Sequence, residues 1–335
     1  MRPQNPCGRD NLKQLAHTMN MNSATSLLTT DRWPSLRLLL RVLTLLSASL
    51  LAACDAFDGR NSANDPPQLQ AASDGRAPAT RADGWWQPRA DENLSWYWQL
   101  QGEIDLNHNV DVYALDYQTP AETVRALKAR GKRVICYVSV GSTENYRPDA
   151  SAFPASVVGD PYHGYPEEHW LDTTNISALA PIMRARFDIC AASGFDAIEG
   201  DNVDAYTLQL RDAAGALVSV GTRFGITAED SITYVKWLAA EAHARGLGFG
   251  LKNAEQIAAR VLDDIDWMMT ESCEAYTWCE QAAVVSAANK PVFMTEYVGV
   301  LDDFSAACAT ARQYRFSAIY RDRALGPGGT FQRCD

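Results

Sequence analysis

Phe195-Asp196-Ala197-Ile198-Glu199-Gly200-Asp201 is a short run with an apolar centre that starts one residue after Gly194. Immediately upstream, residues 177–193 have a helical pattern, so a helix ends at a glycine and a strand follows at once. The same join recurs where residues 119–130 stop at Gly131 ahead of 133–140, and where residues 227–245 stop at Gly246, which opens 246–252. Working outward, short runs rich in Val, Ile, Phe, Tyr and Trp also occupy residues 95–101, 110–117, 266–271, 291–297 and 316–321, and residues 302–314 form another helix candidate. Pro120 suits the first turn of its helix. Eight strands alternating with helices over about 250 residues predict an α/β chain forming a single (β/α)8 barrel with its site on the C-terminal face. No Gly-x-Gly-x-x-Gly follows the first strand, which speaks against a dinucleotide-binding sheet. Residues 141–176 and 202–226 are longer insertions after the third and fourth strands, and in a barrel both would sit over that face.

In such a barrel the last residues of each strand meet the site. They are Asp116, Glu144 just beyond the third strand, Glu199 with Asp201 and Asp204, Lys252-Asn253, Glu271, Glu296-Tyr297, and Arg321-Asp322. A single acid after a strand often serves as a helix cap or a solvated loop charge. Several converging on one face are harder to explain that way. The histidines, at 17, 108, 163, 169 and 243, have no metal-ligand spacing, and no Gly-x-Ser-x-Gly elbow occurs, so neither a metal, a cofactor nor a serine nucleophile is expected. Paired carboxylates are the chemistry of most glycosidases, in which one protonates the leaving oxygen while the other attacks carbon or activates water. Aromatics in and just past the strands, Tyr137 and Tyr297 among them, add flat faces suited to sugars, although many such rings simply fill a core.

The chain has 335 residues, 47% hydrophobic and 21% charged, which excludes a disordered or collagen-like protein. A net charge of −11 makes nucleic acid an unlikely partner and favours a cationic one. Residues 1–53 carry six basic and two acidic residues, and Arg32, Arg37 and Arg41 precede an uncharged apolar run at 42–53. That run is short for a bilayer span of ~20 residues and reads as a signal peptide. It ends in Leu51-Ala52-Ala53-Cys54, which resembles the bacterial lipobox. The expectation is an exported bacterial lipoprotein, anchored to the membrane through Cys54 and placed in the periplasm or on the cell surface. Residues 1–53 are then leader and signal peptide, 54–83 a disordered tether with Phe57 its one aromatic, and 84–335 the barrel domain, which opens at Gly84-Trp85-Trp86.

Six cysteines beyond Cys54 allow 15 pairings in an oxidising compartment. Local spacing favours Cys273 with Cys279, which would stiffen the loop after Glu271, and Cys308 with Cys334, which would pin the C-terminal tail. Cys136 and Cys190 fit a bridge or two buried thiols equally well.

The segment 194–206, Gly-Phe-Asp-Ala-Ile-Glu-Gly-Asp-Asn-Val-Asp-Ala-Tyr, resembles the GFDG-v-x-x-DNvD-x-Y segment of glycoside hydrolase family 114, the endo-α-1,4-polygalactosaminidase-type TIM barrels. Further similarity lies in Trp98-Gln99-Leu100-Gln101, Val112-Tyr113-Ala114-Leu115-Asp116, residues 134–141, Gly250-Leu251-Lys252-Asn253 and Thr270-Glu271-Ser272-Cys273-Glu274, in the family's order. Ala197 stands where that family commonly has glycine. The resemblance implies an α-1,4-linked galactosamine polysaccharide as substrate, Asp201 as nucleophile or base and Glu271 as general acid. Asn202 could orient Asp201. The apolar Trp267-Met268-Met269 gives Glu271 a setting that favours a protonated carboxyl. Lys252 and Asn253 could hold hydroxyls or stabilise the ionised partner, and Asp116, Glu199 and Glu296 could meet a protonated amino sugar. Tyr137, Asp204 and Tyr297 complete the candidate substrate contacts. The rival readings are a glycosidase of the same fold acting on another glycan and a catalytically silent, lipid-anchored carbohydrate-binding protein.

Overall fold

A computed structural model describes residues 84–334 apart from 163, 212–216 and 221. The leader, Cys54 and the segment 54–83 lie outside the described residues. In chain order the elements begin β1 (Trp96–Gln99), β2 (Val112–Asp116), α1 (Ala121–Ala129), β3 (Arg133–Ser139), β4 (Ser142–Glu144), β5 (Val158–Tyr162), β6 (Tyr165–Leu171) and α2 (Ile176–Ser193). There follow β7 (Ala197–Asp201), β8 (Gln209–Arg211), β9 (Leu217–Val220), α3 (Ala228–His243), β10 (Gly248–Lys252) and β11 (Trp267–Glu271). The last are α4 (Cys279–Ala287), β12 (Val292–Tyr297), α5 (Phe304–Tyr314), β13 (Ser317–Arg321) and β14 (Phe331–Arg333).

All eight expected strands form, and they pair in parallel in the order β1-β2-β3-β7-β10-β11-β12-β13, with β14 antiparallel on the last edge. The sheet curls until Trp96 Nε1 donates to the Ser317 carbonyl at 2.8 Å, so β1 meets β13 through a side chain. This is the mixed α/β sheet of a (β/α)8 barrel, with irregularities that the residue pattern did not show. No helix joins β1 to β2; Gln99 instead organises that loop, its amide donating to the carbonyls of Gln101 and Glu103 at 2.9 Å. A 3-10 segment, Glu255–Arg260, stands where a helix would follow β10. The insertion after β3 folds into a small antiparallel sheet, β4-β6-β5, and the one after β7 contributes the β8–β9 hairpin.

Local chemistry explains the helix ends. Asn175 caps α2 by accepting from Ala178 N, and Gly194 closes it at φ 92°, a backbone region that side chains disfavour. Thr227 and Asp230 form a capping box on α3.

Alternation along the strands divides the core. Trp96, Trp98, Trp267, Met269, Phe293 and Ile319 fill the barrel interior, while Tyr97, Tyr113, Val134, Val138, Phe249 and Met268 belong to the second cluster, which includes the helices. Gly250 leaves room for the Trp267 ring, because a Cβ there would lie 2.2 Å from it. Ala197 belongs to the interior cluster and is fully buried.

At the N-terminal ends of the strands, Trp85 stacks on His243 with ring centroids 4.0 Å apart, and its Nε1 donates to Asp266 at 2.9 Å. Trp86 lies beneath the Arg133 guanidinium. These two tryptophans strap the start of the domain to the barrel floor.

Three disulfides are present among the described residues. Cys273–Cys279 and Cys308–Cys334 pair as their spacing suggests. Cys136–Cys190 settles the open case as a bridge tying β3 to α2.

Candidate active site

Three neighbouring strands each end in a functional side chain followed directly by a non-glycine residue in the left-handed region. Asp201 precedes Asn202 (φ 67°), Lys252 precedes Asn253 (φ 51°), and Glu271 precedes Ser272 (φ 56°). Such turns cost energy unless their surroundings enforce them, and they cluster at functional sites. Here each one ends the strand at the chemical group. Gly141 makes the first possible, since a Cβ there would lie 1.7 Å from the Asn202 carbonyl oxygen.

Lys252 is the centre. Its Nζ lies 3.2 Å from Glu199 Oε1, 3.3 Å from Asp201 Oδ2 and 3.4 Å from Glu271 Oε2. The ammonium rests 4.3 Å from the centroid of the Trp98 ring and 5.1 Å from that of Tyr137. Because Asp201 Oδ2 and Glu271 Oε2 share this neighbour, they are at most about 7 Å apart, close enough to flank one glycosidic bond.

Each carboxyl is oriented separately. Asp201 Oδ1 accepts from Asn202 N at 2.8 Å, and Oδ2 accepts from the Tyr137 hydroxyl at 2.9 Å. Asn202 is itself held by Ser139 Oγ (2.9 Å) and Ser142 Oγ (3.2 Å). Asn253 Oδ1 accepts from Glu271 N at 2.9 Å, which turns its Nδ2 toward Glu271 Oε2 at 3.0 Å. The Tyr297 hydroxyl takes the other oxygen, Oε1, at 2.6 Å. Burial, with the nearby carboxylates, holds Tyr137 and Tyr297 well above the ordinary phenol range, so both keep their protons.

The structure thus gathers Tyr137, Glu199, Asp201, Asn202, Lys252, Asn253, Glu271 and Tyr297. Asp116 belongs to a neighbouring network, gripped at both oxygens by Arg147 (2.8 and 2.6 Å), which also holds Glu144 at 2.6 Å. Asp204 is buried at the start of the turn after β7, its carbonyl accepting from Thr207. Glu199 and Glu296, expected to meet an amino sugar, are completely buried. Glu199 lies behind Lys252. Glu296 accepts from the backbone of Glu274 at 2.8 Å and supports the disulfide loop; its burial raises it to about 7. Sequence reasoning missed Arg147 and Glu168, both in the insertion after β3. Glu168 faces Glu144 across the β4–β6 pair and accepts from Ser142 Oγ at 3.2 Å. Burial, then Glu144 and Asp201, push it up to about 7.

A barrel mouth in which two separately oriented carboxyls share one buried cation is the equipment of a glycoside hydrolase. The sequence profile of glycoside-hydrolase family GH114 matches residues 75–335, and the chain belongs to that family. It is similar to Ega3 of Aspergillus fumigatus, whose structure is a complex with galactosamine: 31% identity, TM-score 0.65, 74% of this chain and 97% of that one covered. The glycoside hydrolase domain of PelA from Pseudomonas aeruginosa shares the fold at 15% identity and TM-score 0.57, covering 70% of this chain and 97% of its own. A search among curated protein sequences finds no match.

Proposed function

We propose that this glycoside hydrolase cleaves an α-1,4-linked, galactosamine-containing polysaccharide, with Asp201 as nucleophile or base and Glu271 as general acid. The observation that carries the reading is the placement of both carboxyls around Lys252 Nζ at the ends of β7 and β11. Similarity to Ega3, seen with galactosamine, supports the sugar. The net charge of −11 supports a cationic polymer.

The hydrogen bonds give each group its task. Tyr137 and Asn202 aim the Asp201 carboxylate. Since Asn253 can only donate to Oε2, the transferable proton of Glu271 belongs on Oε1, where the Tyr297 oxygen can accept as readily as its hydroxyl donates. That proton goes to the glycosidic oxygen as the bond to the anomeric carbon breaks. Asp201 meanwhile bonds to that carbon or takes a proton from the attacking water.

The lipobox-like Leu51-Ala52-Ala53-Cys54 supports an exported protein held to the membrane through acylated Cys54. Mass spectrometry of the native protein should then find no residue ahead of Cys54; an intact 1–53 segment refutes the anchor. For the activity, new reducing ends should appear from deacetylated galactosamine polymer and not from other polysaccharides. Cleavage of a different polymer instead overturns the substrate, and no cleavage of any overturns the enzyme.

A further inference from the structure

Glu199 takes no part in the reaction just described, yet solvent does not reach it at all. It lies two residues before Asp201 and on the same face of β7. Its carboxyl meets Lys252 Nζ at 3.2 Å. Apart from that contact, neither of its oxygens has a hydrogen-bond partner among the described residues. Among the described residues, the charged and titratable groups around it are Lys252 on β10, Asp201 on its own strand, Glu271 on β11 and Tyr137 on β3. Of the three carboxyls around this ammonium, Asp201 and Glu271 reach the mouth, with side chains 10% and 24% exposed, and take hydroxyl or amide donors as well; Glu199 has neither solvent nor such donors. The carboxyl with neither solvent nor further donors is the one that keeps its proton. Accordingly, burial pushes Glu199 up to about 8 against the opposing pull of Lys252.

We propose that Glu199 is a positioning residue: as a neutral carboxylic acid behind Lys252, it holds the ammonium midway between Asp201 and Glu271 as their common counter-ion. The inference rests on the catalytic reading of those two carboxyls. In that reading the negative charge sits on Asp201 before the first step and on Glu271 after it, whether Asp201 bonds to carbon or takes a proton from water. Lys252 lies 3.3 Å from the first site and 3.4 Å from the second, so it serves both without moving. An ionised Glu199 would draw the cation backward and compete with both.

The test uses the full chain, with kcat and KM measured on deacetylated galactosamine polymer and unfolding followed by denaturant from pH 5 to 8.5. Glu199→Gln keeps a neutral acceptor and should stay within about threefold of wild-type kcat at pH 6, while flattening the pH dependence of stability. Glu199→Leu removes the rear contact and should lower kcat at least ~30-fold with KM little changed. Lys252→Met should lower kcat by ~10²-fold or more, and adding Glu199→Gln to it should cost nothing further. If Glu199→Leu does not fold, Glu199→Gln and the Lys252→Met pair decide. A Glu199→Gln variant as inactive as Lys252→Met, a near-normal Glu199→Leu, or additive losses in the double variant would each overturn the inference. Full activity in Asp201→Asn or Glu271→Gln would instead overturn the catalytic reading beneath it.

Discussion

Two strands of this barrel carry an acid at each end, and the two ends treat their acids differently. Asp196 enters β7 at the floor and Asp201 leaves it at the mouth; Asp266 and Glu271 bracket β11 in the same way. At the floor both acids are held by several donors. Asp196 takes the Lys128 ammonium, Arg133 at 2.9 Å and Val134 N at 2.9 Å. Asp266 takes Trp85 Nε1 at 2.9 Å, His243 Nε2 at 2.8 Å and Phe249 N at 2.9 Å. At the mouth, three carboxyls share one ammonium. At the floor no donor is shared between acids, and each acid braces the fold where its strand begins. Acids that divide one cation among them can exchange charge, which a reaction needs.

Substitution at the two ends should separate activity from stability. Asp201→Asn or Glu271→Gln should each lower kcat by ~10³-fold while the unfolding midpoint stays put, because both changes are nearly isosteric. Asp196→Ala or Asp266→Ala should do the reverse, costing about 3 kcal/mol of stability while kcat per folded molecule stays close to wild type. Kinetics paired with urea unfolding would show it; a floor variant that loses turnover without losing stability breaks the contrast.

Smaller effects sharpen it. Gly141→Ala drives a methyl into the Asn202 carbonyl, 1.7 Å from the Cβ position, and should cost about 1–3 kcal/mol and roughly tenfold in kcat by tilting Asp201. Cys279→Ser opens a loop of sequence separation 6, against 54 for Cys136–Cys190. Stability should therefore fall by only ~2 kcal/mol, with activity lowered more noticeably than the fold as the segment after Glu271 loosens. Last, Glu168, Glu199 and Glu296 have folded values near 7, 8 and 7, above the ordinary glutamate value of 4.5. Above pH ~4.5 the unfolded chain releases these protons and the folded one retains them, so stability declines as pH rises toward about 8. At about 1.4 kcal/mol per pH unit for each such group, a loss of several kcal/mol between pH 5 and 8.5 is expected from denaturant titrations; a rise over that window contradicts it.

Much of this was legible in the residues. The strands and most of the helices follow from apolar runs that stop at Gly131, Gly194 and Gly246, and Asp201, Lys252 and Glu271 declare themselves by standing at strand ends. Depth is what linear order conceals. Glu199 and Asp201 share a face, yet one is in the mouth and the other sealed beneath Lys252, a difference of one barrel layer. Arg147 and Glu168 carry no strand-end signal, because the insertion holding them is positioned by the β4–β6 register. Helix α4 escaped notice because its nine residues are largely apolar, with no polar stripe to mark one face. Cys136 and Cys190 meet across a strand and a helix, and their spacing gave no hint of it.

The tryptophan strap has a directional consequence. With Trp85 and Trp86 fastened under the barrel, the described chain begins on the face opposite Asp201, Lys252 and Glu271. If Cys54 is acylated as proposed, the leash pulls on the underside. An anchor fastened there would leave the opening to look outward, where a long polymer can lie across the top.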